Sequence, residues 1–253
     1  MFDIEVRKHG ICMKTVWYAD KPINQKGIIC YREATKPFGK SAIPFDTLLT
    51  DLLQTEDEII EKISKNGRYE IRRAAKENVE TKMIMNSDVT AQVINDFCDF
   101  FVEFWKSKDV IYKARDALYD EINQYVKKEA FALSIAYIKG RPYVYHTYLI
   151  DKENVRLYHS ASLYRIDEEV PHSLIGMANR YLHKEDMMYF KQIGKQLYDW
   201  GGAGKTEEVK SITEFKQSFG GVPARYYDCT VVNGPKAKVI TLLSGVKSKL
   251  GKK

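Results

Sequence analysis

The residues best suited to chemistry lie in one stretch, Lys195-Gln-Leu-Tyr-Asp-Trp-Gly-Gly-Ala-Gly-Lys-Thr206. Its first half is rich in β-forming residues and its second half is broken by glycines, which predicts a short strand that ends in a turn. Asp199 is the single acid of the strand, where burial would raise the pKa of its carboxyl group unless a cation pairs with it. The stretch allows two different kinds of site.

The first kind is a phosphate-binding loop, because Gly204-Lys205-Thr206 follows a predicted strand and precedes a predicted helix. The motif G-x-x-x-x-G-K-[ST] needs a glycine at position 199, and the aspartate found there would repel a phosphate. The chain also ends 47 residues after Thr206, which is too short for the parallel strands that follow such a loop. We therefore favour the second kind, a strand end that lines a catalytic site.

A basic cluster lies far from this stretch in the sequence. Most of its four cations, Arg68, Arg72, Arg73 and Lys76, share one face of a predicted helix, and Tyr69 is interleaved with the arginines. A solvated helix face is one interpretation of the cluster. An anion-binding patch is the other, since arginine binds phosphate groups through two parallel hydrogen bonds.

Composition limits the class of protein. Lys and Arg exceed Asp and Glu only enough for a formal charge of +6, which favours a phosphate-bearing ligand and does not by itself indicate nucleic acid. The four cysteines are far apart, so neither a disulfide framework nor a metal site is expected. Since neither a signal peptide nor a membrane-spanning run is evident, we expect a cytoplasmic location.

Hydrophobic periodicity predicts the elements that position these residues. Strands are expected at 15–18, 27–31, 79–85, 131–138, 142–150, 154–162 and 224–232, besides the opening stretch and an apolar run at 47–53. Helices are expected from Thr55, at 68–77, at 88–105 with Asp88 as its cap, at about 114–128, at 171–190 and at about 207–219. Thr55 and Glu58 form a predicted capping box, and Asn66-Gly67 is expected to interrupt the helical region.

The order of these elements predicts the fold class. Strands and helices do not alternate strictly, so a doubly wound parallel sheet is not expected. We predict an α+β fold in which helices flank a mixed, mostly antiparallel central sheet, within a single domain over residues 1–253.

Two motifs in the right order resemble those of a known family. Tyr198-Asp-Trp-Gly-Gly202, followed by Ile212-Thr-Glu-Phe-Lys-Gln-Ser-Phe-Gly-Gly221, is similar to the closing signature of the Fem-type transferases, which belong to the GNAT-fold acyltransferases. Residues 65–74 also resemble the paired-helix entry of that family. The resemblance covers roughly residues 45–230. It departs from the family in two respects: the chain has room for one such domain where Fem-type enzymes have two, and it lacks the usual glycine-rich pyrophosphate loop.

The resemblance implies direct transfer of an acyl group to an amine, which requires a base and a donor for the developing oxyanion. His146 and His159 lie on the predicted strands that flank the acyl site in GNAT enzymes, so either could be the base, as could Asp199. Each has a structural alternative: a hydrogen-bonded histidine in the sheet, or an aspartate paired with a neighbouring cation. Tyr158 and Tyr198 are candidate donors, although aromatic residues on strands more often belong to the core.

The remaining site residues concern binding. Lys216 could reach a phosphate, and Trp200 belongs to the same strand end, so both are candidate substrate-binding residues with Arg68, Tyr69, Arg72 and Arg73. The resemblance implies that coenzyme A lies at the start of the helix at 171–190. The candidate cofactor-binding residues there are Arg165, Pro171, His172 and Ser173. The helix N-terminus offers N–H groups to a pyrophosphate, although Glu168 and Glu169 oppose this charge.

The resulting hypothesis is an N-acyltransferase of the GNAT superfamily without a metal. It would move an acyl group from an acyl-CoA to a nucleotide-linked amino sugar for cell-surface polysaccharide biosynthesis. One alternative is a Fem-type aminoacyltransferase that uses aminoacyl-tRNA on a peptidoglycan precursor. A second alternative is a nucleic-acid-binding module without enzymatic activity. The acyl group, the sugar and the oligomeric state stay open.

Overall fold

The computed structural model describes residues 1–8, 10–39, 41–110, 112–165, 169–204, 206–239 and 241. The chain divides into two compact units, one of Met1–Asp46 with Ala224–Lys253 and the other of Thr47–Pro223. The prediction of a single domain stays a prediction. No helix among the described residues combines the length and the apolar character that crossing a membrane requires.

The smaller unit is a β-sheet. Its strands are β1 (Phe2–Lys8), β2 (Ile11–Trp17), β3 (Gly27–Ala34) and the greater part of β10 (Val222–Asn233). β2 is antiparallel to β1 and parallel to β3, and β3 is antiparallel to β10. A core that includes Val16, Ile29, Tyr31 and Phe38 holds the sheet together.

In the described part of the chain, the larger unit contains the other strands and six α-helices. The remaining strands are β4 (Ile43–Asp51, which begins in the smaller unit), β5 (Glu80–Met85), β6 (Phe131–Ile138), β7 (Arg141–Ile150), β8 (Asn154–Ser162) and β9 (Leu197–Asp199). The helices are α1 (Glu56–Lys62), α2 (Lys65–Lys76), α3 (Ala91–Lys106), α4 (Arg115–Val126), α5 (His172–Gln192) and α6 (Glu207–Gln217). A short 3-10 helix covers Asn86–Asp88.

The strand order in the larger unit is β4-β9-β8-β7-β6-β5. Every pair is antiparallel except β8 with β9, which run parallel. The predicted α+β class and the mixed, mostly antiparallel sheet are therefore confirmed.

Helices cover both faces of this sheet. Tyr148 of β7 donates a hydrogen bond to Asp186 of α5, whereas its neighbour Thr147 bonds to His159, whose ring packs on Phe97 of α3. Because successive strand residues point to opposite faces, α5 and α3 lie on opposite sides of the sheet. α2 joins α5 through an ion pair, and α4 lies on the side of α3, where it contacts β8.

Most predicted elements are found, with three corrections. The capping box of Thr55 and Glu58 is present and begins α1. However, α2 begins at Lys65, because the Ser64 side chain caps it and Asn66-Gly67 lies inside its first turn. The cap of α3 is Thr90 and not Asp88, which ends the 3-10 helix. Strand β1 was missed in the sequence.

Candidate active site

β8 and β9 form a fork. They pair over three positions, Asn154 with Leu197, Val155 with Tyr198, and Arg156 with Asp199. β9 then ends, while β8 continues to Ser162. In the described part of the chain, no strand pairs with residues 157–162 on the side that β9 leaves. Asp199 therefore lies at the point where two parallel strands separate.

The Asp199 carboxyl group is buried and only partly satisfied. Its Oδ1 accepts a hydrogen bond from Thr47 Oγ1 at 2.5 Å and one from the Gly201 N–H at 2.7 Å. Its Oδ2 is buried and has no hydrogen-bond partner among the described residues. Burial raises the pKa of Asp199, and Arg156 opposes this shift. The group is thus a carboxyl of raised basicity with one oxygen left for a further contact.

The turn after β9 depends on glycine. Gly201 has a φ of +59°, and a Cβ atom there would lie 2.6 Å from the Leu157 carbonyl oxygen. Lys216 of α6 donates hydrogen bonds to the carbonyl oxygens of Gly201 and of Gly202, the latter at 2.7 Å. Lys216, the lysine of the Phe-Lys-x-x-Phe-Gly motif, is therefore bound to the turn that begins two residues after Asp199 in the sequence. Lys205, the lysine of the disfavoured phosphate loop, lies outside the described residues.

A second polar cluster lies on the opposite face of the sheet, against α5. One oxygen of Asp186, Oδ2, accepts hydrogen bonds from Ser134 Oγ at 2.9 Å and from Tyr148 OH at 2.6 Å. The same oxygen lies 2.8 Å from His146 Nδ1, and His146 Nε2 lies 2.8 Å from Asn179 Oδ1. His146 is fully buried, with both ring nitrogens engaged. The geometry therefore makes it a poor candidate for the base.

Tyr198 belongs to the same cluster. Because Tyr148 donates to Asp186, its oxygen is left to accept from Tyr198 OH, which is 3.0 Å away. His183 Nδ1 lies 3.3 Å from Tyr198 OH and must then be the donor in that contact. Burial raises the pKa of Tyr198 and lowers the pKa of His183. The Tyr198 hydroxyl is thus committed to the cluster and faces away from Asp199.

His146, His183 and Asp186 place three possible ligand atoms within 4.8 Å of one another. The two imidazole rings are stacked, with centroids 3.9 Å apart and planes 24° apart. Nitrogen lone pairs lie in the ring plane, so stacked rings direct them side by side rather than at one point. Asp186 Oδ2 also accepts several hydrogen bonds already. The arrangement favours a hydrogen-bonded network over a metal centre.

His159 lies on the same face as Asp199. Its Nδ1 is 2.8 Å from Thr147 Oγ1, and its ring packs on Phe97 and Phe101. Burial lowers the pKa of His159 to about 3, so the ring is neutral at physiological pH. Such a low pKa makes His159 a weaker base than Asp199, whose pKa is shifted upward.

The other predicted binding residues are dispersed. Trp200 is buried and donates from Nε1 to Thr50 Oγ1 at 2.9 Å, so it belongs to the core. Arg68 donates to the carbonyl oxygens of Glu61 and Ile63, which satisfies the C-terminus of α1.

Of the other α2 residues, Arg73 pairs with Glu77 at 2.8 Å, while Tyr69 and Arg72 are exposed. Tyr69 and Arg72 are the members of the patch best placed to meet a ligand.

The predicted cofactor residues gather at the start of α5. Pro171 is the N-cap, and His172 and Ser173 form the exposed first turn, with the Tyr164 ring 5.1 Å from that of His172. No side chain caps this end among the described residues, so its N–H groups are available to an anion. Arg165 is described, but Glu168 and the rest of residues 166–168 lie outside the described residues.

Several site residues were missed in the sequence. Thr47 and Arg156 become neighbours of Asp199 only through strand pairing, and Asp186 and His183 meet the sheet only because α5 packs on it. One signal was available: His183 and Asp186 are three residues apart on a helix predicted to be amphipathic, which places them on one face.

No family model matches the chain, and no curated protein matches it. Among solved structures it is similar to FemX, with a TM-score of 0.58 and 11% identity over 78% of this chain and 63% of that one. It is also similar to L-PGS from Bacillus licheniformis, with a TM-score of 0.52 and 10% identity over 86% and 72% of the two chains.

A third similar structure is the C-terminal domain of a putative lysylphosphatidylglycerol synthetase from Agrobacterium fabrum. Its TM-score is 0.50 and its identity 12%, over 87% of this chain and 72% of that one. The chain thus spans less than two thirds of the length of FemX. At these identities the similarity concerns the fold alone, and this chain has the GNAT-like α+β fold that its closing motifs predicted.

Proposed function

We propose that this protein is an N-acyltransferase that moves an acyl group from an acyl-CoA directly to an amine. The observation that carries the proposal is the fork between β8 and β9, with the partly satisfied carboxyl group of Asp199 at its last pair. A thioester placed in the fork would lie beside a buried group able to accept a proton. The GNAT-like fold supports the same reaction class.

The unpaired side of β8 suits the donor. Among the described residues, no strand pairs with the backbone N–H and C=O groups of residues 157–162 on that side. An extended molecule with amide groups can bind such an edge as an added strand. The arm of coenzyme A carries amides of this kind. Pro171, His172 and Ser173 begin α5 soon after β8 ends, where helix N–H groups favour a pyrophosphate.

Asp199 would act as the base. Its Oδ2 would take a proton from the ammonium group of the acceptor, and the freed amine would attack the carbonyl carbon of the thioester. The C–N bond forms and the C–S bond breaks, and the leaving thiolate takes up the second proton that the attacking nitrogen loses. Lys216 holds the glycine turn that places Asp199, which makes it a positioning residue in this scheme.

The acceptor proposal is a nucleotide-linked amino sugar for a surface polysaccharide. Its support is the exposed pair Tyr69 and Arg72, which could stack on a base and bind a diphosphate. Arg68 and Arg73 contribute less, because the first holds the end of α1 and the second pairs with Glu77.

Aminoacyl transfer from a charged tRNA is the second candidate. It is favoured by the names of the similar structures, FemX and a lysylphosphatidylglycerol synthetase, the second of which names a lysyl group joined to a lipid. A nucleic-acid-binding module is the remaining alternative, and it predicts binding that weakens steeply with salt.

Coenzyme A is expected to raise the melting temperature of this protein, because a ligand that binds only the folded state stabilises it by mass action. At about one hundred times its Kd the gain is roughly 2.7 kcal/mol. Differential scanning fluorimetry with coenzyme A, acyl-CoAs and, as a control, adenosine diphosphate measures the effect. The absence of any shift at millimolar coenzyme A would contradict the acyl-CoA donor and leave aminoacyl transfer as the stronger candidate.

Arg72→Ala is expected to raise the KM for the acceptor by about tenfold and to leave donor binding unchanged, since a guanidinium bond to phosphate is charge-assisted. The acceptor is first identified by mass spectrometry of products from a panel of acyl-CoAs and nucleotide amino sugars. Lys127→Ala, which removes an equal charge from an exposed position beyond α4, is the matched control. Equal KM values for the two variants would remove Arg72 from the site.

A further inference from the structure

A small cavity lies beside the C-terminal end of α3. Its volume is about 90 Å³, and its lining includes Phe101, Trp105, Val110, Tyr112, Lys106 and Lys113. We call this cavity the α3 pocket. At roughly 30 Å³ for a water-sized group, it has room for about three heavy atoms. Its walls are mainly aromatic and aliphatic, and its charged members are both cations.

His159 contributes an unsatisfied donor beside this pocket. Its ring lies 4.6 Å from Phe101 and 6.2 Å from Tyr112, both of which line the cavity. Thr147 Oγ1 accepts a hydrogen bond from the His159 backbone N–H. Among the described residues, the acceptor within reach of the Thr147 hydroxyl hydrogen is His159 Nδ1. The neutral ring then carries its proton on Nε2, which is buried and has no partner in the described part of the chain.

Trp105 contributes a second donor of the same kind. Its ring lines the pocket and is stacked on Tyr112, with centroids 5.0 Å apart. Its Nε1 is buried and, within the described residues, has no partner. A buried donor without a partner costs about 1–3 kcal/mol, so such groups are rare unless a ligand or water satisfies them. Two of them, on rings that both contact Phe101 and Tyr112, indicate a ligand with acceptor oxygens.

The charges around the pocket have the matching sign. Lys108 Nζ lies 4.1 Å from the Phe104 ring centre and 5.1 Å from that of Trp105, and Lys106 and Lys113 line the pocket itself. The nearby acid Glu121 is paired with Lys113 and accepts from Tyr158 OH. The surroundings therefore favour a carboxylate or carbonyl oxygen over an ammonium group.

Ring contacts connect the pocket to the fork on one face of the sheet. Arg156, the register partner of Asp199, lies over Tyr158 with its Cζ 5.6 Å from the ring centre. The Tyr158 ring is 4.3 Å from that of His159, which in turn touches the pocket wall at Phe101. A continuous row of side chains thus runs from the proposed base to the pocket.

We propose that the α3 pocket binds a short apolar chain that ends in a carbonyl or carboxylate oxygen, with His159 and Trp105 as the donors. A free short-chain carboxylate has this chemistry, and its binding does not depend on the proposed function. With room for about three heavy atoms, the pocket takes the three alkyl carbons of a four-carbon acid, and the carboxylate group lies at its edge, beside the two donors.

Butyrate, butyramide and butylammonium have the same length and differ in charge. Isothermal titration or saturation-transfer NMR on the full chain is expected to show millimolar binding of butyrate, weaker binding of butyramide and none of butylammonium. Val110→Trp fills the pocket from a half-exposed position and is expected to abolish butyrate binding. Val222→Trp makes the same exchange at another exposed valine and is expected to leave binding unchanged.

Trp105→Phe keeps the ring and removes the N–H, so butyrate binding is expected to weaken by about tenfold. This variant also decides the outcome where Val110→Trp fails to fold. Equal binding of the three probes, or unchanged butyrate affinity in Trp105→Phe, would overturn the proposal.

Discussion

Asp199→Asn is expected to lower kcat by about 10²- to 10⁴-fold, the usual contribution of a general base. Asparagine keeps an oxygen for the Thr47 hydroxyl and the Gly201 N–H, so the local geometry should persist while the proton acceptor is lost. The measurement is the rate of product formation with the donor and acceptor identified by mass spectrometry. Asp120→Asn, at an exposed position on α4, is the matched control.

The pH dependence gives an independent readout for Asp199. Its carboxylate is the active form, and burial raises its pKa, so wild-type activity should fall as the pH falls through that raised value. The same shift means that the ionised group opposes folding above its pKa, because the unfolded chain ionises it more readily. Asp199→Asn should therefore lose this limb of the pH profile without a lower melting temperature at neutral pH. Full activity in the variant would eliminate Asp199 as the base.

Asp186→Ala is expected to reduce the free energy of unfolding by about 3–5 kcal/mol, since each buried donor left without an acceptor costs about 1–3 kcal/mol. The change leaves His146, Ser134 and Tyr148 without their shared acceptor in the interior. Urea unfolding followed by tryptophan fluorescence measures the loss.

Two further variants make the Asp186 experiment decisive. Asp120→Ala, on the exposed side of α4, should change the free energy of unfolding by no more than about 0.5 kcal/mol. Asp186→Asn keeps an acceptor oxygen without the charge, so its loss should lie between those of the two alanine variants. A loss below about 1 kcal/mol for Asp186→Ala would mean that the cluster is not a major source of stability.

Local signals in the sequence were sufficient for much of the fold. Thr55 and Glu58 are three residues apart and cap α1 by themselves, so the start of that helix could be predicted. Gly67 misled the prediction because glycine usually ends a helix. In α2, Gly67 instead permits the close approach of the Ile63 side chain, because a Cβ atom at position 67 would lie 2.9 Å from Ile63 Cγ2. The Ser64 cap determines where α2 begins.

The sequence likewise predicts the part of the candidate site that is contiguous in the chain, but not the contacts that the fold creates. Asp199 and its glycine turn are contiguous, so the stretch could be singled out from the sequence. The sequence does not show which donor would bond to the Asp199 carboxyl group. That donor is Thr47, which is 152 residues away in the chain and becomes its neighbour only in the sheet. His146 was a reasonable candidate base until α5 brought Asp186 and Asn179 to both of its nitrogens.

The shared oxygen of Asp186 also restricts how this molecule can move. Donors on β6 and β7 converge on one atom of α5, so the helix cannot slide or rotate on the sheet without breaking several buried bonds together. Sub-ångström shifts are resisted rather than absorbed, because packed interiors rearrange in discrete steps. The position of the long helix on this face of the sheet is therefore fixed, and any rearrangement around Asp199 or the α3 pocket has to occur on the opposite face.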